Sequence, residues 1–216
     1  MVRRIDYRGF TITETTVQTA AGPAATYAAE GFRPSSSLWE MRVQANARLF
    51  RRATGIVSPE LERRYVAADT DRDNALSWSE VRSFQRALTR SFRYLPNGTA
   101  LRPDRFLRQG GGDCEDWALV TCGLLRFWGY EAYVGSIGDP SGMSGHAVCL
   151  VPQQERPVGM TYFELRGFYT SSGAALPNGY YIPIDYEHVG RLSSAVESGW
   201  VLERVYEPES LYGMMI

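Results

Sequence analysis

The sequence predicts an α+β protein, and three observations carry that expectation. Periodic segments with helix-capping signals fill residues 37 to 92. An almost unbroken apolar run, DWALVTCGLLRFWG, follows three glycines at residues 110 to 112 and reads as a buried helix. After residue 130 come five short segments rich in Tyr, Val and Ile, separated by Gly, Pro and Ser, which read as strands. Helices grouped ahead of antiparallel strands are the mark of the α+β class, and 216 residues suffice for one domain or one domain with an insertion.

Taken in order, residues 5 to 30 alternate and turn at a Gly-Pro pair, which predicts a hairpin. Ser37 stands three residues before Glu40, a capping box, and Leu38, Met41, Ala45 and Leu49 give one apolar face that ends at Gly55. Ser58-Pro59 opens a second helix, since proline is tolerated at the first helical position. A third covers Ser79 to Phe92, with Val81, Phe84 and Leu88 in period. LPNGTALRPD reads as a turn-rich connector. The apolar helix then runs to Trp128, and Gly129 takes the left-handed cap. The strands are YEAYVGSI, HAVCLV, MTYFELRG, GYYIPIDY and GWVLERVY. The organisation expected is a hairpin and first helix in 1–57, a helix-loop-helix in 58–92 and a core in 93–216.

Composition narrows the function. The formal charge is -1, from 23 basic and 24 acidic residues spread along the chain, so no basic footprint for nucleic acid exists. Every basic residue is Arg and no Lys occurs. The opening MVRRIDYRGFTITETT has no apolar run after its arginines, and no membrane-spanning stretch follows, so a chain that does not engage a membrane is expected, cytoplasmic as written or with its leader removed. The three cysteines, Cys114, Cys122 and Cys149, form no CxxC pair and are expected to be free thiols.

Between the second and third helices stands DTDRDNALSWSE, residues 69 to 80. With Asp69 at loop position 1, Asp71, Asp73, Ala75 (by its carbonyl), Ser77 and Glu80 fall at positions 3, 5, 7, 9 and 12, an oxygen ligand set with the spacing that Ca2+ requires. Asn74 occupies the position usually held by Gly, and Asn tolerates the left-handed turn needed there. Residues 58 to 92 thus resemble an EF-hand, although no second acidic loop accompanies it.

The stretch GGGDCEDWA places Cys114 at a helix start, where free backbone N–H groups favour a thiolate and lower the thiol pKa. The flanking carboxylates oppose that effect, so a cation such as an imidazolium is needed. Of the two histidines, His146 opens a strand after the loop GDPSGMSG, whereas His188 sits in a polar stretch. Cys122 and Cys149 lie in apolar surroundings and read as packed residues.

GDCEDWA with its apolar helix, Gly129-Tyr130 leading into a strand, and GHAV together resemble the transglutaminase-like superfamily, including its bacterial cysteine proteinases, over roughly residues 100 to 190. The resemblance implies a papain-like core, Cys114 as nucleophile, His146 as general base and acid, and an acid on the following strand that orients the His. It also implies that the acids beside the thiol, Asp113 and Glu115, can hold a further calcium. The strand after His146 carries no Asp. Folding HAVCLV against MTYFELRG about residues 153 to 159 brings Glu164 opposite His146, with Asp185 of YYIPIDY as the alternative. The activity expected is hydrolysis of a peptide or amide bond through a Cys thioester, on a protein or peptide substrate. Transfer of the acyl group to an amine, and a non-catalytic calcium-binding or assembly module, are the alternatives.

Overall fold

The computed structural model describes residues 2–7, 10–19, 22–29, 37–139, 141, 144–192 and 199–214. Its first three strands, β1 (Val2–Tyr7), β2 (Phe10–Thr19) and β3 (Gly22–Ala29), form an antiparallel meander with β2 in the centre. The expected hairpin corresponds to β2 and β3, and β1 adds a third strand through the register Val2↔Thr15 to Tyr7↔Phe10.

Helix α1 (Leu38–Thr54) starts at the Ser37/Glu40 capping box and ends on Gly55, whose φ of 66° is the left-handed cap. Helix α2 (Pro59–Val66) starts at Ser58, whose hydroxyl accepts from the Leu61 N–H. Helix α3 (Trp78–Ser91) repeats the capping box with Ser77 and Glu80. Then come a short strand β4 (Arg93–Tyr94), helix α4 (Pro103–Gln109), β5 (Gly111–Gly112) and helix α5 (Cys114–Phe127). Helix α4 lies in and after the segment expected to be a connector. At seven residues it is too short for hydrophobic periodicity to reveal, and its only signals are Pro103 in the first turn and left-handed Gly110 at the end.

The remaining strands are β6 (Tyr133–Gly138), β7 (Gly145–Gln153), β8 (Phe163–Leu165), β9 (Gly179–Asp185), β10 (His188–Val189) and β11 (Val201–Tyr206), followed by a 3₁₀ turn at Pro208–Leu211. They form one antiparallel sheet in the order β10-β9-β7-β6-β11, with β8 also on β9. The expected hairpin between HAVCLV and MTYFELRG is not formed. Both edges of β7 are taken, by β6 (Ile137↔His146) and by β9 (Cys149↔Ile184), so β8 pairs with β9 instead (Glu164↔Tyr180).

Helix α5 is buried on every side, as its apolar composition requires. Ala118, Leu119, Cys122 and Leu125 pack on Val134, Ala147, Cys149 and Ile184 of the sheet. Trp117, Val120, Leu124 and Phe127 meet Phe50, Leu61, Tyr65, Phe84 and Phe106 of the other helices. Full burial of a Leu or Phe contributes roughly 1.5–3 kcal/mol, so this double contact makes α5 the rigid centre of the molecule. Polar ties lock it further: Gln85 Nε2 donates to Thr121 Oγ1 (2.8 Å) and the Tyr65 hydroxyl to the Val120 carbonyl (2.9 Å). Helices α2 and α3 therefore share one core with the helix that carries Cys114. Among the described residues no helix is long and apolar enough to cross a membrane.

Candidate active site and metal loop

Two of the three glycines before Cys114, Gly111 and Gly112, allow close packing of the chain on itself. At Gly111 (φ 149°) a Cβ would lie 1.9 Å from the Arg93 carbonyl oxygen, and at Gly112 it would lie 2.1 Å from Asp116 Oδ2. A side chain at Gly111 would break the parallel β4–β5 pair, in which Arg93 N–H donates to Gly110 O (3.0 Å) and Leu95 N–H to Gly112 O (2.9 Å), and one at Gly112 would displace the Asp116 carboxylate. Two of the three glycines thus admit neighbouring protein atoms.

Asp116, fully buried, anchors the start of α5. Its carboxylate accepts from the N–H groups of Asp113 (3.0 Å) and Leu101 and from Asn97 Nδ2 (2.6 Å). Burial pushes the carboxyl pKa values of Asp113 and Asp116 upward, and Glu115 and Asp116 raise Asp113 further. Asp113 Oδ1 is buried without a hydrogen-bond partner.

Cys114 is the first residue of α5 and partly buried. Its thiol donates to Glu115 Oε2 at 3.2 Å, and the side chain packs against the core cluster that contains Ala147 of β7. Burial, with the adjacent Glu115 carboxylate, pushes the thiol up to about 12. This reverses the expected lowering: the stabilisation offered by a helix start is smaller than the combined cost of a desolvated thiolate and a neighbouring anion. The resting group is a thiol. Cys122 and Cys149 are both fully buried in the core, and Cys122 Sγ bonds to the Tyr133 carbonyl.

His146 is the second residue of β7, one before Ala147. Its Nε2 lies 2.8 Å from Asp185 Oδ1, and the two side chains are 11% and 1% exposed. A carboxylate at that distance fixes the imidazole's orientation and tautomer. Asp185 reaches it because β9, not β8, flanks β7. Glu164, the first candidate for this role, is turned away: its carboxylate pairs with the exposed Arg166 side chain at 2.7 Å. His188 sits opposite Asp185 in the β9–β10 ladder.

Tyr186, next to Asp185, has φ 49°, a left-handed conformation rare for a large side chain. Its ring centroid is 5.6 Å from His146 and 5.7 Å from Trp117. Burial, then Cys114 and other nearby groups, push its phenol far up, so it stays neutral. His146 borders two cavities. One, of about 560 Å³, is walled by aromatic rings that include Trp117 and Tyr186. The other, of about 490 Å³, includes Glu115, Ser136, Ala147 and Arg204.

In the acidic loop the structure brings together Asp69, Asp71 and Asp73, each offering an oxygen within 4.8 Å of the others. Asn74 adopts φ 69°, as expected of the turn position. Asp69 is 3% exposed; Oδ2 accepts from Asn74 N–H (3.1 Å) and Trp39 Nε1 (2.8 Å), while Oδ1 is buried with no hydrogen-bond partner. An orphaned carboxylate oxygen inside an acidic cluster suits a cation. Glu80 is not part of this cluster, and Ser77 serves with it in the α3 capping box. Oε1 of Glu80 accepts from the Thr70 N–H (2.7 Å) and hydroxyl (2.8 Å), and Oε2 from the Ser77 N–H (3.0 Å) and hydroxyl (2.9 Å). Burial alone would raise the Glu80 pKa, but these hydrogen bonds outweigh it and hold the group at about 2. Sequence spacing did not reveal Trp39, thirty residues before Asp69, as a partner of the loop.

No family model and no curated protein sequence matches the chain. Among solved structures it is similar to Legionella pneumophila LapG, with a TM-score of 0.44 and 14% identity over 79% of this chain and 87% of that one. Calcium-bound LapG gives 0.44 and 14% over 76% and 83%, and EGTA-treated LapG gives 0.42 and 15% over 76% and 81%.

Proposed function

We propose that the chain is a calcium-binding cysteine hydrolase that cleaves peptide or amide bonds through a thioester on Cys114. The observation that carries this reading is the meeting of the α5 start and the β7 start: Cys114 packs against the core cluster that contains Ala147, while His146, one residue earlier, is held by Asp185 at 2.8 Å. A thiol, an imidazole and a buried carboxylate in that succession are the parts of a nucleophilic triad, which is identified by geometry and roles.

Because the resting sulfur is protonated, the imidazole must act as base during attack and not as a standing ion-pair partner. His146 takes the thiol proton as sulfur bonds to the carbonyl carbon, Asp185 stabilises the imidazolium, and the proton passes to the departing amine. Water, deprotonated by the same imidazole, then hydrolyses the thioester and restores the thiol. Transfer to an amine would use the same groups. The alternative of a non-catalytic module draws on Glu115, whose bond to the thiol opposes ionisation.

Calcium belongs to this reading through the loop that resembles an EF-hand. Asp69, Asp71 and Asp73 would hold it, with the Ala75 carbonyl, Ser77 and Glu80 completing the set if Glu80 leaves its cap. Bound there, the ion neutralises three clustered carboxylates; no chemical step passes through it.

The test is turnover of a mixed peptide library with calcium present, read by mass spectrometry. Cys114→Ala should abolish cleavage and Cys122→Ala should leave most of it, and a denaturing quench should trap an acyl adduct on Cys114. Cleavage that survives Cys114→Ala would end the proposal.

A further inference from the structure

The cavity of about 560 Å³ beside His146 has a chemistry that the proposed reaction does not explain. Phe92, Tyr94, Trp117, Tyr186 and Trp200 line it together with His146, and no Asp, Glu or Arg does so among the described residues. This is a notable composition in a chain where 22% of residues are charged. The walls come from the end of α3, from β4, from the first turn of α5 and from the residues after β9 and before β11. Chain folding has gathered aromatic rings from five places around one histidine.

Those rings are held in place. Tyr186 makes edge contacts with Trp117 at 5.7 Å and Tyr94 at 6.3 Å; Trp117 meets Phe106 at 5.1 Å, and Phe106 meets Phe92 at 5.0 Å. The Trp117 indole N–H donates to the Gly112 carbonyl, so its ring is fixed relative to the backbone just before Cys114. A volume of this size lies within the range of small-ligand sites, and preformed apolar walls bind without reorganisation. The cavity on the other side of His146 differs in kind, since Glu115, Ser136 and Arg204 face it.

We infer that the aromatic cavity is the specificity subsite of the enzyme and takes a bulky apolar side chain, aromatic or long aliphatic, on a residue flanking the bond that Cys114 attacks. The inference rests on the hydrolase reading for the chemistry but on the cavity alone for the preference. A charged side chain there would lose its hydration against rings that offer it no counter-ion, whereas an apolar one is transferred from water into a site of matching chemistry. Tyr94, 54% exposed, and Trp200, partly exposed and packed on its inner side against the core of the sheet, form the outer wall and are the specificity-determining residues.

Two measurements test this and separate its failure from that of the hydrolase. In the peptide-library digest, Phe, Tyr, Trp, Leu or Met should outnumber Asp, Glu and Arg by about tenfold or more at one of the two positions flanking the cut. Tyr94→Ala and Trp200→Ala should each shrink that ratio several-fold, while Tyr94→Phe keeps it. Independently, on the Cys114→Ala protein, millimolar N-acetylphenylalanine amide should shift the indole N–H resonances of Trp117 and Trp200 in heteronuclear NMR spectra, and N-acetylaspartate amide should not. Cleavage without apolar preference would overturn the inference and leave the hydrolase standing. Selective binding without cleavage would uphold the subsite and sink the hydrolase. Absence of both would remove both.

Discussion

Glu80→Gln isolates the contribution of a single ionised carboxylate to this fold, because glutamine imitates the protonated side chain in size. The wild-type group sits at about 2, against 4.5 for an ordinary glutamate. At 1.36 kcal/mol per pKa unit, that gap corresponds to about 3 kcal/mol of preferential stabilisation of the charged form in the folded state. The source is visible: four hydrogen bonds from Thr70 and Ser77 converge on a side chain only 7% exposed. A depressed carboxylate stabilises the fold fully above its unfolded pKa and loses that contribution as pH falls through the folded one. The substitution should therefore cost about 3 kcal/mol at pH 7, with the difference from wild type narrowing below pH 4.5 and closing toward pH 2. Urea melts of both proteins at stepped pH, with EGTA present to exclude metal, measure this directly. A difference that is the same at pH 7 and pH 3 would refute the reasoning, since the loss would then belong to shape and not to charge.

Three further outcomes are expected. Calcium should raise the melting temperature and alter the fluorescence of Trp39, whose indole donates to Asp69 at 2.8 Å; Asp71→Asn should remove most of both responses, and an unchanged emission spectrum together with an unchanged melt would exclude the loop as a site. Asp185→Asn should lower turnover by about 10⁴-fold at an unchanged melting temperature, while Glu164→Gln should cost less than about twofold, because only Asp185 holds His146; the reverse pattern in matched kinetic assays would reassign the acid. Iodoacetamide should modify Cys114 slowly at neutral pH, with a rate rising about tenfold per pH unit toward pH 10, and Glu115→Gln should speed it, since removing the neighbouring charge lowers the thiol pKa; a plateau already reached at pH 7 in mass-spectrometric time courses would show a thiolate at rest.

What could be read from the sequence divides by the range of the interactions involved. Capping residues act within one turn, so Ser37, Ser58 and Gly55 marked α1 and α2 correctly. The left-handed Asn74 followed from the loop's own spacing. The gathering of Asp69, Asp71 and Asp73 is likewise local. The competing demand on Glu80 was less visible: the same Ser77 and Glu80 that fit loop positions 9 and 12 also fit a capping box, and one carboxylate in the structure serves the cap. Sequence spacing names both roles and does not rank them.

Glu164, preferred from the sequence over Asp185, does not lie beside His146 for a physical reason that applies beyond this chain. Proximity in sequence favours a hairpin between consecutive strands, and Glu164 followed from that assumption. Yet β8 is three residues long, with one of its residues buried, whereas β9 presents five buried residues in succession. Pairing β7 with β9 therefore buries far more apolar surface, and the long connection that must be closed adds only slowly to the entropic cost. Once β9 takes that edge, Asp185 arrives beside His146 and Tyr186 is turned onto its imidazole. The thiol shows the same limit in electrostatic form. Its helix-start position was legible, but its ionisation depends on how deeply the sheet buries it and on where Glu115 points, and both are properties of the packed molecule. Residue type and local position thus nominate the groups at a site, while the state in which they meet is decided by the burial competition among distant strands.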